Sequence, residues 1–189
     1  MIDNRNGNGL KQEGDKVRIL ETFKAIREDM KANIYYKSMS VLILYRIAHY
    51  FFSHGRVGKI LGAPFIILHN LMSSWILGIE IPAKTKIGYP LIIMHGVGLV
   101  VNSEATLGSN IIIRQGCCIG NKIQRDGVIS AAPTIGNNVE FGVNAQVLGP
   151  IRVANNVSIG AGAVVLKDCE EGGVYVGVPA QLISSRNHS

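Results

Sequence analysis

Residues 135–165 read "IGNNVEFGVNAQVLGPIRVANNVSIGAGAVV", and an apolar side chain returns at every sixth place: Ile135, Phe141, Val147, Val153, Ile159 and Val165. Neither the 3.6-residue period of a helix nor the alternation of a half-buried strand produces that spacing. A six-residue repeat marks a parallel β-helix, in which each hexad supplies one short strand and one turn. Three hexads close a triangular coil whose interior is filled by the recurring side chain. Each coil buries that interior only by stacking on the next. The predicted fold class is therefore mainly β, a parallel β-helix.

The same period holds upstream, at Ile81, Ile87, Ile93 and Leu99 and again at Leu107, Ile113 and Ile119. It breaks twice, with two extra residues between Leu99 and Leu107 and ten between Ile119 and Ile135. The second break is the excursion 121–134, "NKIQRDGVISAAPT", and long excursions from a strict solenoid are usually functional. Four places after the core position stand Ala145, Ile151, Val157 and Ala163, and also Cys117 and Cys169. Those two thiols are expected to be small buried hydrophobes rather than nucleophiles. Cys118, the next residue along, is expected to face outward.

The 189 residues suffice for one sizeable domain with an appendage. The formal net charge of +6 is scattered. Lys16, Arg18, Lys24, Arg27, Lys31 and Lys37 share the N-terminal third with Glu21, Glu28 and Asp29, as on a solvated helix face. No basic-aromatic motif accompanies the charge, so nucleic acid is not an expected partner. Three cysteines without a CxxC spacing fit free thiols in a reducing compartment, and the polar first residues carry no signal peptide. The expected location is the cytoplasm, with the inner face of the membrane as the alternative within it.

Ahead of the repeat the pattern is helical. Residues 1–16 are polar and Gly-rich and are expected to lack order. Residues 17–79 read as helices, with Ile19, Phe23, Ile26 and Met30 at helical spacing in the first and Gly55 stopping the second. The stretch 60–79, "ILGAPFIILHNLMSSWILGI", is uncharged over nearly a membrane-spanning length. Its recurrent Pro64, His69, Asn70, Ser73 and Ser74 suit a helix packed on protein, and peripheral membrane contact through residues 38–79 is the alternative reading. His49, His54 and His69 lie on these helices and are read as structural. The organisation expected is 1–16 unordered, 17–79 helical, 80–180 β-helix and 181–189 a tail.

Within the repeat stands His95, in "IIMHGVGLVV" (92–101), a run otherwise apolar or Gly. It falls third in the hexad from Ile93, so it is expected at a turn or on the outer surface, along a coil edge near both breaks. The repeat contains no other histidine. A three-histidine zinc site is thereby disfavoured, and no metal is expected.

The segments "EIPAKTKIGYPLIIMHGVGLVVNSEATLG", "IIIRQGCCIGN", "APTIGNNVEFGVNAQVLGPIRVANNVSIGAGAVVL" and "VYVGVPAQ" resemble, in that order, the serine acetyltransferase branch of the hexapeptide-repeat acyltransferases. The resemblance runs from about residue 38 to about 183. Within that branch the chain is most similar to capsule and exopolysaccharide O-acetyltransferases of the colanic-acid type. The resemblance implies a left-handed parallel β-helix, an exception to the usual right-handed crossover. It implies a homotrimer, and acetyl-CoA as co-substrate in the cleft between neighbouring coils. It implies His95 as general base and Glu80 as the carboxylate that orients its ring. A neutral imidazole can take the proton of an attacking alcohol, and a carboxylate on its other nitrogen would steady the imidazolium. The thioester oxygen would be met by a backbone N–H near Gly120 and Asn121. Gly142 and Val143, Gly160 and Ala161, and Gly177, Val178 and Pro179 would line the path of pantetheine. Lys122, Lys167 and Arg186 are candidates for the CoA phosphates, while turn geometry alone also explains the glycines.

The resemblance also carries a departure. Serine acetyltransferases have an Asp before the catalytic His and "Asp-Arg-His-Pro" at the end of the excursion, groups that hold the amino acid's two charges. Here Met94 stands at the first place, and "SAAP", with Ala131 and Ala132, at the second. The acceptor implied is a hydroxyl without that charge pattern, a sugar of a capsular or extracellular polysaccharide or its precursor. Lys122 and Arg125 in the excursion hint that it is anionic. The alternative is serine O-acetylation, with altered anchors.

Overall fold

The chain builds a stack of five coils capped at one end by helices, in a computed structural model that describes residues 5–185. The first coil is β1 (Ile79–Glu80), β2 (Lys86–Ile87) and β3 (Leu91–Met94); the second is β4 (Leu99–Val101), β5 (Thr106–Leu107) and β6 (Ile111–Arg114). The third is β7 (Cys118–Gly120), β8 (Thr134–Ile135) and β9 (Glu140–Phe141); the fourth is β10 (Gln146–Leu148), β11 (Arg152–Val153) and β12 (Ser158–Ile159). In the fifth, β13 (Val164–Val165) and β14 (Gly173–Val176) flank Cys169, which bridges to Val153. Equivalent strands of successive coils pair in parallel, giving three flat faces. The expected tail folds back in part, as β15 (Gln181–Ser185) antiparallel to β14.

The periodic side chains stack where the repeat predicts. Ile119, Val147 and Val165 line the first face from inside. Ile87, Leu107, Ile135 and Val153 line the second. Ile93, Ile113, Phe141 and Ile159 line the third. Cys117 and Cys169 are buried beside them, and burial pushes the Cys169 thiol up to about 12. At the corner between the second and third faces, Asn110, Asn138 and Asn156 take left-handed backbone angles of 57°, 55° and 61°. Asn tolerates that region better than most residues, and the side chains ladder downward at 2.9 and 3.0 Å.

The stack corrects the sequence reading at one point. Val101, not Leu99, stands over Ile119, while Leu99 pairs with Ile79 at the start of the first face. Both Leu99 and Val101 are buried, because inward positions alternate along a strand. Apolarity alone therefore did not say which one kept the period. The two extra residues lie between Ile93 and Val101, in the turn of His95.

The helices are α1 (Arg5–Ala32), α2 (Tyr36–Ser53), α3 (Gly55–Leu61) and α4 (Ala63–Asn70), the last continued by a wider π-helical segment, Leu71–Ile76. The stretch 1–16, expected to be unordered, divides: residues 1–4 lie outside the described residues, and 5–16 extend α1. No proline interrupts the run, and Lys11, Gln12 and Glu13 favour helix.

These helices satisfy the open edge of the first coil. Asn33 donates to the Leu91 carbonyl at 2.8 Å and accepts from the Ile93 N–H at 2.9 Å. Ser38 donates to the Ile93 carbonyl and Tyr45 to that of Thr85, each at 2.8 Å. His49 reaches the Ala83 carbonyl at 2.8 Å, His69 that of Ile81 at 2.7 Å, and Ser73 that of Ile79. Arg46, buried against Asp29 at 2.8 Å, donates to the carbonyls of Ile87 and Gly88 at 2.7 Å. An exposed strand edge is a template for mispairing, and this one is covered. All three helix histidines contact main-chain carbonyls, His54 that of Tyr50 at 2.6 Å.

Burial lowers the affinity of His49 and His69 for a proton. Below the unperturbed histidine value of about 6.5 the unfolded chain therefore binds more protons than the folded one, and stability falls with pH. We expect the melting temperature to drop between pH 7.5 and 5.5 by scanning calorimetry. Asn at position 69 should flatten that slope.

Candidate active site

From Ile93 to Val101 the chain takes two more residues than between their paired positions Ile113 and Ile119, and His95 and Gly96 form the resulting bulge. Both adopt positive φ, 66° and 48°. For a histidine that region is sparsely populated and costs on the order of 1–3 kcal/mol, a cost met most often at functional sites. Gly96 is required. A Cβ there would stand 2.6 Å from Ile79 Cδ1 and 2.8 Å from Ile93 Cγ2. So Gly96 is tucked over the core while His95 is turned out, exposed, at the corner between the third and first faces.

Tyr35, at the start of α2, meets the ring. Its hydroxyl lies 3.1 Å from His95 Nε2, and the two ring centroids are 4.6 Å apart. Sequence reasoning missed this residue, sixty positions away in a helical segment; its only signal was the pair of tyrosines "YY" before the second helix. Glu80, the expected orienting carboxylate, does not make that contact. It lies exposed on the outer side of β1, in the row of Val100 and Cys118, and among the described residues no hydrogen bond or ion pair joins it to His95. Burial and the Glu80 charge both hold the Cys118 thiol above its usual range, so it is no ready nucleophile.

The remaining site residues divide between two corners of the first face. Beneath the His95 bulge, at the same corner, follow Gly142 and Val143, Gly160 and Ala161, then Gly177, Val178 and Pro179. Gly120 and Asn121, Lys122 and Arg125, and Lys167 lie at the other corner, where the first face turns into the second. A Cβ on Gly142 would meet the Ala161 backbone at 2.5 Å, and one on Gly160 would meet Val176 at 2.7 Å, so coil packing already demands both glycines. Gly120 differs. Its added Cβ would find nothing nearer than 3.8 Å, and its φ is not left-handed. Arg186 lies outside the described residues.

The excursion is an ordered hairpin. Ser130 N–H donates to the Lys122 carbonyl at 2.9 Å, Gln124 N–H to that of Val128 at 2.8 Å, and Ile123 bridges Ile129. Under it runs a groove of about 520 Å³ lined by Lys122, Gln124, Arg125, Ile151 and Leu166. Its two cations are exposed and suited to an anionic ligand. Among the described residues no cluster of His, Cys, Asp or Glu is arranged to hold a metal ion.

The family described as "Bacterial transferase hexapeptide (six repeats)" matches residues 132–167. The colanic acid biosynthesis acetyltransferase WcaB of Escherichia coli K12 is 36% identical over 160 residues, covering 82% of this chain and 96% of that protein. This chain belongs to the hexapeptide-repeat acetyltransferases. A serine acetyltransferase of Synechococcus elongatus is 32% identical over 87% of this chain, which spans only 64% of its length. A serine acetyltransferase solved in complex with CoA superposes with a TM-score of 0.65 at 27% identity, covering 79% of this chain and 58% of that one.

In this hexapeptide-repeat acetyltransferase the three positions expected from the serine branch to carry charge are neutral. Met94, half-buried at the end of β3, and Ala131 and Ala132, after the hairpin, bring no charge to either corner. Ala132 packs on the core instead.

Proposed function

We propose that this hexapeptide-repeat acetyltransferase moves the acetyl group of acetyl-CoA to a sugar hydroxyl of a capsular or extracellular polysaccharide, or of its precursor. His95 acts as general base. The observation that carries the acceptor class is the neutrality of Met94, Ala131 and Ala132. A zwitterionic amino acid would lack its anchors there, each charge-assisted contact contributing about 1.5–3 kcal/mol. The likeness to WcaB, named for colanic acid biosynthesis, supports a glycan acceptor; the likeness to a serine enzyme solved with CoA supports the acyl donor.

Tyr35 makes the orienting contact in this reading. If the phenol oxygen accepts from Nε2–H, Nδ1 keeps its lone pair for the incoming alcohol. The alcohol oxygen attacks the thioester carbonyl as its proton passes to Nδ1. Backbone N–H groups at Gly120 and Asn121 would receive the oxyanion, and collapse expels the CoA thiolate, which takes the proton from the imidazolium.

One chain carries His95 and the small residues of the pantetheine path at one corner, and Gly120, Asn121 and Lys167 at the other. A homotrimer would bring the first corner of one copy against the second corner of the next, with Lys122 and Arg125 over the acceptor. Light scattering should give three times the 20.4 kDa chain mass.

The acceptor test supplies acetyl-CoA with serine, then with neutral and uronic-acid sugars, and follows CoA release. We expect release with a sugar and little above background with serine. Rapid turnover of serine would overturn the acceptor assignment.

A further inference from the structure

The end of the helical cap is amphipathic in an inverted sense. From α4 into the π-helical segment, the polar His69 and Ser73 point inward and bond to strand carbonyls. The outward stripe is apolar: Ile67, Leu68, Leu71, Trp75 and Ile76 are all exposed, and Trp75 is 84% exposed. Ile60 on α3 adds to it. Apolar residues scattered singly on a surface need no explanation, but a contiguous group this size marks a contact surface.

Charge says what the contact is. Between Met30 and Ile79 there is no Asp or Glu, while Lys31, Lys37, Arg46, Arg56 and Lys59 all lie there. Arg46 is consumed by Asp29 and Lys31 pairs with Glu28, but Arg56 and Lys59 are exposed beside the stripe on α3. A second copy packed isologously on this face would set those cations near their own equivalents, with no carboxylate in the segment to answer them. An anionic headgroup layer answers both features, apolar side chains entering the acyl boundary and cations meeting the phosphates. Trp favours that boundary depth. Among the described residues no helix is long and apolar enough to cross a bilayer.

We propose that the face formed by α3, α4 and the π-helical segment docks the protein on an anionic lipid bilayer, lying in the interface without spanning it. The proposal does not depend on the acceptor or on catalysis.

The chain supplies its own probe, since Trp75 is its single tryptophan. In solution the emission of Trp75 is expected at long wavelength and open to quenching by iodide. Adding vesicles containing phosphatidylglycerol is expected to shift it to shorter wavelength and shield it. Vesicles of phosphatidylcholine alone should bind at least about tenfold more weakly, as should anionic vesicles in high salt. The double variant Ile67→Glu/Leu71→Glu keeps Trp75 and alters only exposed positions. It is expected to retain the wild-type circular dichroism and to lose vesicle flotation by about tenfold or more. A Trp75 already blue-shifted and shielded without vesicles, with that shielding lost on substitution or dilution to monomer, would show the face covered by another copy and overturn the proposal. Unchanged flotation of the double variant, or no flotation of the wild type with anionic vesicles, overturns it as well.

Discussion

His95→Ala is expected to lower kcat for acetyl transfer by about 10²–10⁴-fold, the range over which a positioned general base contributes. The side chain is exposed and supports no core contact, so the melting temperature should hold. Its backbone strain would not be relieved, since alanine suffers at the same φ of 66°. Unchanged turnover would show that this ring is not the base. Two companions locate the orienting group. Tyr35→Phe removes the 3.1 Å hydrogen bond but keeps the ring contact, so kcat should fall and the acidic limb of the pH profile, which reports the base, should move while KM changes little. Glu80→Gln is expected to cost far less than His95→Ala. A loss as large as that of the histidine would mean that the carboxylate reaches the imidazole in the assembled enzyme.

The largest stability effect is expected from Asp29→Ala. Asp29 and Arg46 are 1% and 5% exposed, one on α1 and the other on α2. The carboxylate accepts from Arg46 Nε at 2.8 Å and from the Leu91 N–H at 2.8 Å. Removing it leaves a buried guanidinium uncompensated and a strand N–H without a partner, a change that costs about 3–5 kcal/mol. In a chain of this size each kcal/mol moves the midpoint by about 2–4 °C, so thermal unfolding should come on the order of 10 °C earlier. Removing both charges, as Asp29→Leu with Arg46→Met, should cost less than the single change, because the desolvation penalty disappears with the pair. A single variant as stable as the wild type would show that the pair does not clamp the cap to the solenoid.

Much of this molecule was legible in one dimension. Thirteen apolar positions in a six-residue period dictated a stacked coil, since only stacking buries them, and 121–134 stood out as an excursion because it broke that period. Cys117 and Cys169 were assigned to the interior on register alone, and His95 was singled out as a polar ring in an apolar run. The place of the first break was not legible. Leu99 and Val101 both point inward, so a pattern of apolar residues is equally satisfied by either, and only the pairing of Val101 with Ile119 shows that the insertion is the His95–Gly96 bulge.

The sequence by itself determined the repeat, the faces and the residue types that chemistry would need, because periodicity records which side chains a strand hides. Tertiary structure decided which of them meet. It put Tyr35 on His95 across sixty positions and left Glu80 apart. It divided the remaining site residues between two corners, and it turned the polar side of α4 inward so that Trp75 faces out. Those outcomes depend on how helices dock against the solenoid's open edge, where unpaired strand carbonyls draw in hydrogen-bond donors such as His69 and Ser73 ahead of apolar side chains.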